Sequence, residues 1–276
     1  MSFNLKLERA REHLCSLDKE ARAWLDTEPY EIVDEPDPDG PKDEFSHLIL
    51  NTRRFRVTRI QPVPDRLSLI IGDCVSNLRI ALDHLALAMA KSHTPNMSQG
   101  DITASEFPIY SSAGGFKRNG TKKVRCINAV ACAAIESFQP YHGFHPYPIH
   151  PLWIIHELNR VDKHRSLTMC TGVPMLDGRQ MIGFRPRNLE LAKAHPKALA
   201  YADARGIGEL VVDAVMMRYA SFTEFPVNCM QFDPVVTAEI TFGHGSPVPL
   251  EPVIPVLEAM CNFVRDVVIA QFSKFL

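Results

Sequence analysis

What the chain lacks narrows the field before anything it contains. No apolar run approaches the roughly 18–20 residues that a membrane-spanning helix needs. The N-terminus is charged almost at once, at Lys6, Glu8, Arg9, Arg11 and Glu12, and offers no apolar core for a secretory signal. A cytoplasmic protein without a membrane partner is therefore expected. The glycine-rich phosphate cradles are missing: there is no Gly-x-x-x-x-Gly-Lys-Ser/Thr loop and no Gly-x-Gly-x-x-Gly after a strand. A Gly-x-Ser-x-Gly elbow is missing too. These absences argue against a nucleotide-dependent kinase, a dinucleotide oxidoreductase and an α/β-hydrolase. Cysteine is present but unorganised. The seven, at 15, 74, 126, 132, 170, 229 and 261, include no Cys-x-x-Cys pair, so neither a zinc knuckle nor a disulfide framework is indicated. A formal net charge of −2 argues against a nucleic-acid coat over the whole chain and leaves local patches open.

What is present is an ordinary globular composition, 46% hydrophobic and 22% charged over 276 residues, long enough to bury a substantial core. Residues 3–26 read as an amphipathic helix. Tyr30–Val33 and His47–Arg59 flank the turn signal Asp37-Pro-Asp-Gly-Pro41 and read as a β-hairpin. From Asp65 to about Lys91, Leu67, Ile71, Val75, Leu78, Leu82, Leu85 and Met89 recur at helical steps, with further apolar residues on other faces. Such a helix is interior. Residues 92–120 read as loop with a strand at Glu106–Tyr110, 121–138 as helix, and 151–166 as helix with Pro151 in its first turn. Strands are expected within 166–175, 180–187, 209–219 and 228–242, a short helix near 188–204, and a last helix over 252–274 with Val256, Met260, Phe263, Val267 and Phe272 inward. The expected fold is α+β: a four- or five-helix bundle-like core packed against an antiparallel β-sheet, in one domain. Its helical core would be 1–166 plus 252–274, and its β portion 28–59 and 166–243.

Two helical segments, Asn77–His84 and His156–Arg165, mix His, Asp, Arg and Asn among apolar neighbours. Buried polar groups are costly unless paired or given a task, so this pair of helices is the candidate site. Arg79 and Asp83 are four apart and share a face, while His84 lies about 140° from Arg79 around the axis. The plain alternative is an intrahelical Arg79–Asp83 ion pair with His84 as a packing residue. On the second helix His156, Asn159 and Lys163 share one face, and His156, Arg160 and His164 form the adjacent row. Asp162 would reach Arg79 or His84 across a packed helix pair. Its plain alternative is a solvated face with pairs at i, i+4. Imidazole is a common metal ligand, so a divalent metal such as zinc on Asp83, His84, His156 and His164 is a second reading. Two basic clusters, Arg53, Arg54, Arg56 and Arg59, and Lys117, Arg118, Lys122, Lys123 and Arg125, would suit an RNA backbone. Alternatively the acidic run from Glu28 to Glu44 neutralises one of them within the fold.

The run Leu67–Asp73, then Asn77-Leu-Arg-x-Ala-Leu-Asp-His-Leu85, Phe107-Pro-Ile, Gln139-Pro-Tyr and Leu152-Trp-x-x-His-Glu-Leu-Asn-x-x-Asp-Lys-His-Arg165, together resemble a widespread family of uncharacterised bacterial proteins over about residues 1–175. That family brings no activity with it. More distantly the chain is similar to the HEPN superfamily, helical bundles that often carry Arg-x4–6-His and act as metal-independent ribonucleases in toxin–antitoxin and antiphage systems. The motif falls on Arg79 and His84; the chain departs in its large β portion and in Ile80 after the arginine. The resemblance implies an RNA-cleaving or RNA-binding homodimer without a cofactor. His84 would be its general acid/base, and Arg79 would stabilise charge on the phosphorane. Asp83, Asn159 and Asp162 would orient them, and His156, Lys163, His164 and Arg165 would contact substrate. A metal-dependent hydrolase and a non-catalytic binding protein are the alternatives.

Overall fold

The computed structural model describes residues 2–40, 50–142, 147–164, 167–172, 175–176, 179–180, 182–186, 190, 199–204, 209–222, 232–236 and 238–276. The fold is α+β. Where the sequence reading takes the chain as one domain, it divides into two compact units: 1–21, 64–169 and 242–276 in one, 22–63 and 170–241 in the other. No helix among the described residues is long and apolar enough to cross a membrane.

The first unit is helical: α1 (Ser2–Leu25), α2 (Asp65–His93), α3 (Gln99–Ala104), α4 (Ala129–Ser137), α5 (Pro151–His164) and α6 (Val253–Asn262). All seven residues of the α2 stripe, Leu67 through Met89, are buried, and so are Ile70, Cys74, Ala81, Ala86 and Ala90 on its other faces. That burial on several faces is what makes α2 the central helix. It packs on α5, which buries Leu152, Ile155, Leu158 and Val161. Gly72 of α2 meets Asp162 late in α5, and Arg79 further along α2 acts on His156 earlier in α5, so the two helices run antiparallel.

Several expected elements come out differently, each for a local reason. The helix expected over 121–138 is split: Thr121–Lys123 is one turn, and α4 starts afresh at Asn128, whose side chain accepts from Ala131 N at 2.8 Å as an N-cap. Residues 99–104, read as loop, form α3 behind a capping box of Ser98 and Asp101. Glu106–Tyr110 forms no strand; its backbone polar groups go to side chains, as described below. Beyond α6 the chain continues through a π-helical turn, Phe263–Ile269, and Ala270–Phe272. The wider turn places the inward residues at steps of four, Met260, Val264, Val268 and Phe272, and leaves the expected core residue Val267 41% exposed. Part of the helix expected over 188–204 lies outside the described residues; its end, Leu199–Ala204, is a strand.

The second unit holds a four-stranded antiparallel sheet in the order β1 (Tyr30–Pro36), β2 (Leu50–Ile60), β8 (Val215–Phe222) and β7 (Leu199–Ala204). Three two-stranded pairs accompany it: β10 (Glu239–Phe242) with β3 (Met169–Gly172), β4 (Met175–Leu176) with β5 (Arg179–Gln180), and β6 (Ile182–Pro186) with β9 (Phe232–Val236). Phe55, Val57, Leu210, Met216, Met217 and Tyr219 form its core cluster. In β2 the arginine cluster is neutralised as the acidic run allows. Arg53 donates to Asp34 at 2.8 Å, and Arg54 and Arg56 each donate to Glu35 at 2.8 Å. Arg56 also reaches Asp213, and Arg59 faces Glu31. Hydrogen bonds from Arg56 and Arg54 hold the Glu35 carboxyl down to about 2. Arg54 and Arg218 stand opposite each other in the ladder, and buried Asp37 lies between the like charges.

The α2–α5 contact has one point without slack. A Cβ added at Gly72 would lie 2.3 Å from Asp162 Oδ1. In an exposed helix Gly→Ala stabilises by about 1 kcal/mol. Here we expect Gly72→Ala to destabilise by about 1–3 kcal/mol through overpacking. Urea denaturation of Gly72→Ala and of Gly72→Ala/Asp162→Ala checks this, with recovery expected in the double variant. A stabilised Gly72→Ala would contradict the packing described.

Candidate functional site

The site is built on a clamp. Arg79 and Asp83 lie one turn apart on the same face of α2, and Arg79 Nη2 donates to Asp83 Oδ1 at 2.6 Å. The same Nη2 donates to the Phe107 carbonyl at 2.7 Å, and Phe107 N–H donates to Asp83 Oδ1 at 3.0 Å. Three residues on, Tyr110 N–H donates to Gln139 Oε1 at 2.9 Å, while Gln139 Nε2 donates to the Pro108 carbonyl at 2.8 Å. Gln139 is fully buried and Arg79 is 9% exposed. The 106–110 segment is thus extended without a partner strand, because side chains from α2 and from the residue pair after α4 satisfy its backbone. Those side chains belong to the runs that carry the resemblance. Their shared task is to hold one segment beside the helix pair.

That segment, α2 and α5 enclose a half-open cleft of about 450 Å³. Arg79, Asp83 and Ser76 line it from α2, and His156, Asn159, Lys163 and Trp153 from α5. Glu106, Tyr110 and Lys123 complete the wall. The electrostatics are those of a cationic site with partial compensation. Burial pushes the Asp83 carboxyl up, against the pull of Arg79 and of the Phe107 N–H. Burial also acts to raise Glu106, yet its ion pair with Lys123 and the fields of Lys123, Arg79 and Lys163 outweigh it and hold the carboxyl below its ordinary value. His156 is pushed down, first by burial and then by Arg79, so its neutral form persists further into the acid range. Its ring lies 5.6 Å from that of Trp153. Arg79 Nη1 is covered and has no hydrogen-bond partner among the described residues.

The expected site residues divide accordingly. Arg79, Asp83, His156, Asn159 and Lys163 come together in the cleft; His84, Asp162 and His164 do not line it. His84 follows Asp83 by one residue and is turned about 100° away from the cleft face. It is half-buried, and its covered Nδ1 has no partner among the described residues. Asp162 sits against Gly72, which precedes Arg79 by seven residues, so the proposed reach of Asp162 to Arg79 or His84 is corrected. Burial and the nearby Asp73 push its carboxyl up. His164 ends α5 and is exposed. Arg165 lies outside the described residues. Among the described residues no three His, Cys, Asp or Glu side chains gather as a metal-ligand group, so the set Asp83, His84, His156 and His164 is not assembled. Glu106, Tyr110, Lys123 and Trp153 were not among the expected site residues. Trp153 stood inside the α5 motif and Lys123 inside a basic cluster, so both had a signal.

Comparison of the chain with protein-family models, curated proteins and solved structures returns no match.

The clamp carries a stability test. Asp83→Ala leaves a buried guanidinium without its carboxylate and the Phe107 N–H without its acceptor, and we expect a loss of about 2–3 kcal/mol in denaturant unfolding. Asp83→Asn keeps an acceptor for the N–H and should cost less. Equal stability of wild type and Asp83→Ala would show that the clamp does not hold the segment.

Proposed function

We propose that the cleft binds single-stranded RNA and cleaves it without a metal, as a HEPN-like endoribonuclease or RNA-binding relative in which His156 takes the proton-transfer role that the resemblance implies for His84. The observation that carries this reading is the convergence in one cleft of three cations, a histidine whose protonation burial and Arg79 disfavour, and two aromatic rings, beside the carboxylates of Asp83 and Glu106. A ribonucleotide needs these groups. Aromatic faces stack an unpaired base, cations hold its phosphate, and a neutral imidazole accepts the 2′-hydroxyl proton.

The reaction runs in one displacement. His156 accepts the 2′-hydroxyl proton as the 2′-oxygen bonds to phosphorus. The bond from phosphorus to the 5′-oxygen breaks, and that oxygen takes a proton from water. The products are a 2′,3′-cyclic phosphate and a 5′-hydroxyl. Arg79 and Lys163 stabilise the added negative charge on the phosphorane, and Asn159 orients the imidazole. Every group named comes from one chain; the homodimer implied by the resemblance is a separate proposal, to be read from sedimentation.

A second reading has its own support. Arg79, Asp83 and Gln139 all have structural work in the clamp, which suits a cleft that binds its ligand without turning it over.

Cleavage of a labelled RNA in excess EDTA separates the two. We expect His156→Ala to lose about 10²-fold or more in rate, and His84→Ala to stay near wild type. Loss with His84→Ala alone would return the chemistry to His84, and binding without cleavage by wild type would favour the second reading. The pH profile gives an independent check. A base must be unprotonated to act, and burial with Arg79 lowers the pH at which His156 gains its proton. The acidic limb of kcat/KM should therefore fall below the ordinary histidine range. A limb at or above that range would contradict His156 as the base.

A further inference from the structure

The cleft opens beside a basic surface that the site does not use. Lys117, Arg118 and Lys122 stand exposed on the segment made of the π-helical turn Phe116–Gly120 and the single turn Thr121–Lys123. None of the three has an ion-pair partner among the described residues. Arg9, Arg66, Arg160 and Arg265 each face a carboxylate, as do the arginines of β2. Within the same segment Lys123 pairs with Glu106 and Arg125 with Asp101, so the carboxylates nearby are already taken.

This surface is continuous with the cleft. Tyr110 of the cleft wall packs edge-to-face on Phe116, with centroids 6.3 Å apart at 86°. A Cβ at Gly120 would come within 3.0 Å of the Tyr110 ring, so the backbone carrying the cations lies directly against that wall residue. Lys123, one residue after Lys122, lines the cleft itself. A polyanion leaving the cleft past Tyr110 thus meets Lys117, Arg118 and Lys122 next. Their spread over about two turns suits a flexible chain of phosphates better than a single compact anion.

We propose that Lys117, Arg118 and Lys122 bind the sugar–phosphate backbone of an RNA strand whose reacting nucleotide occupies the cleft. This rests on the reading of the cleft as an RNA site. It adds that affinity grows with strand length and is carried largely by counterion release, while the cleft alone serves a dinucleotide.

The test uses the full chain and a variant with Lys117→Glu, Arg118→Glu and Lys122→Glu, sites that touch neither the clamp nor His156. Binding of a fluorescent single-stranded RNA of about 12 nucleotides and of a dinucleotide is measured between about 50 and 200 mM salt. We expect the variant to lose about tenfold or more on the longer strand, to lower the salt slope by about 2 for three phosphate contacts, and to bind the dinucleotide like wild type. Circular dichroism and unchanged dinucleotide binding certify that the variant is folded. If the variant binds the longer strand with unchanged affinity and slope, the backbone surface is refuted and the cleft reading stands. If wild type binds neither RNA, both are refuted. Binding of wild type to anionic phosphatidylserine vesicles instead of RNA would likewise overturn the proposal and assign the surface to a membrane.

Discussion

The buried guanidinium of Arg79 is the interaction on which the site depends. It lies on the central helix among residues that are almost entirely apolar, and a charge there is tolerable only with partners. Asp83 supplies one and the Phe107 carbonyl another, through hydrogen bonds of 2.6 and 2.7 Å from the same nitrogen. The Phe107 N–H closes the knot on Asp83. A peptide segment that would otherwise need a partner strand is thereby fixed alongside α2, and Gln139 secures its other end. The cleft is the space this arrangement leaves between segment and helices. Its positive field comes from the lining: Arg79, Lys163 and Lys123 outnumber the carboxylates of Asp83 and Glu106.

Burial first, and that field second, lower the pH at which His156 gains its proton. An imidazole beside a guanidinium and out of water favours its neutral form, which is the form that accepts a proton or a hydrogen bond. Lys163 and Lys123 add to the field, as the lowering of Glu106 records. The cleft therefore sets three cations beside an imidazole whose protonation burial and Arg79 disfavour. Beyond Tyr110 stand the exposed cations at 117, 118 and 122, which have no ion-pair partner among the described residues.

The helical skeleton was legible because its signal is periodic. The stripe from Leu67 to Met89 predicts a buried helix and all seven residues are buried. The polar clusters on α2 and α5 pointed to the helix pair, and five of their expected residues share the cleft. Three things were not legible, each for a physical reason. Adjacent positions on a helix diverge by about 100°, so Asp83 and His84 cannot both face the cleft, and spacing alone does not say which one does. The 106–110 segment alternates as a strand does, and only the long-range partners Asp83 and Gln139 reveal that side chains replace the ladder. At the C-terminus a π-helical turn shifts the phase, so Val268 rather than Val267 turns inward. Composition likewise showed charge of both signs in 28–59 without showing which arginine would meet which carboxylate.

The most direct measurement on the central claim is an NMR titration of the histidine side chains, with and without a dinucleoside monophosphate. The account predicts that His156 titrates below the ordinary histidine range in the free protein and moves upward when the phosphodiester binds, because a negative charge beside the imidazolium favours it. A His156 resonance that titrates in the ordinary range and does not move with ligand would contradict the account.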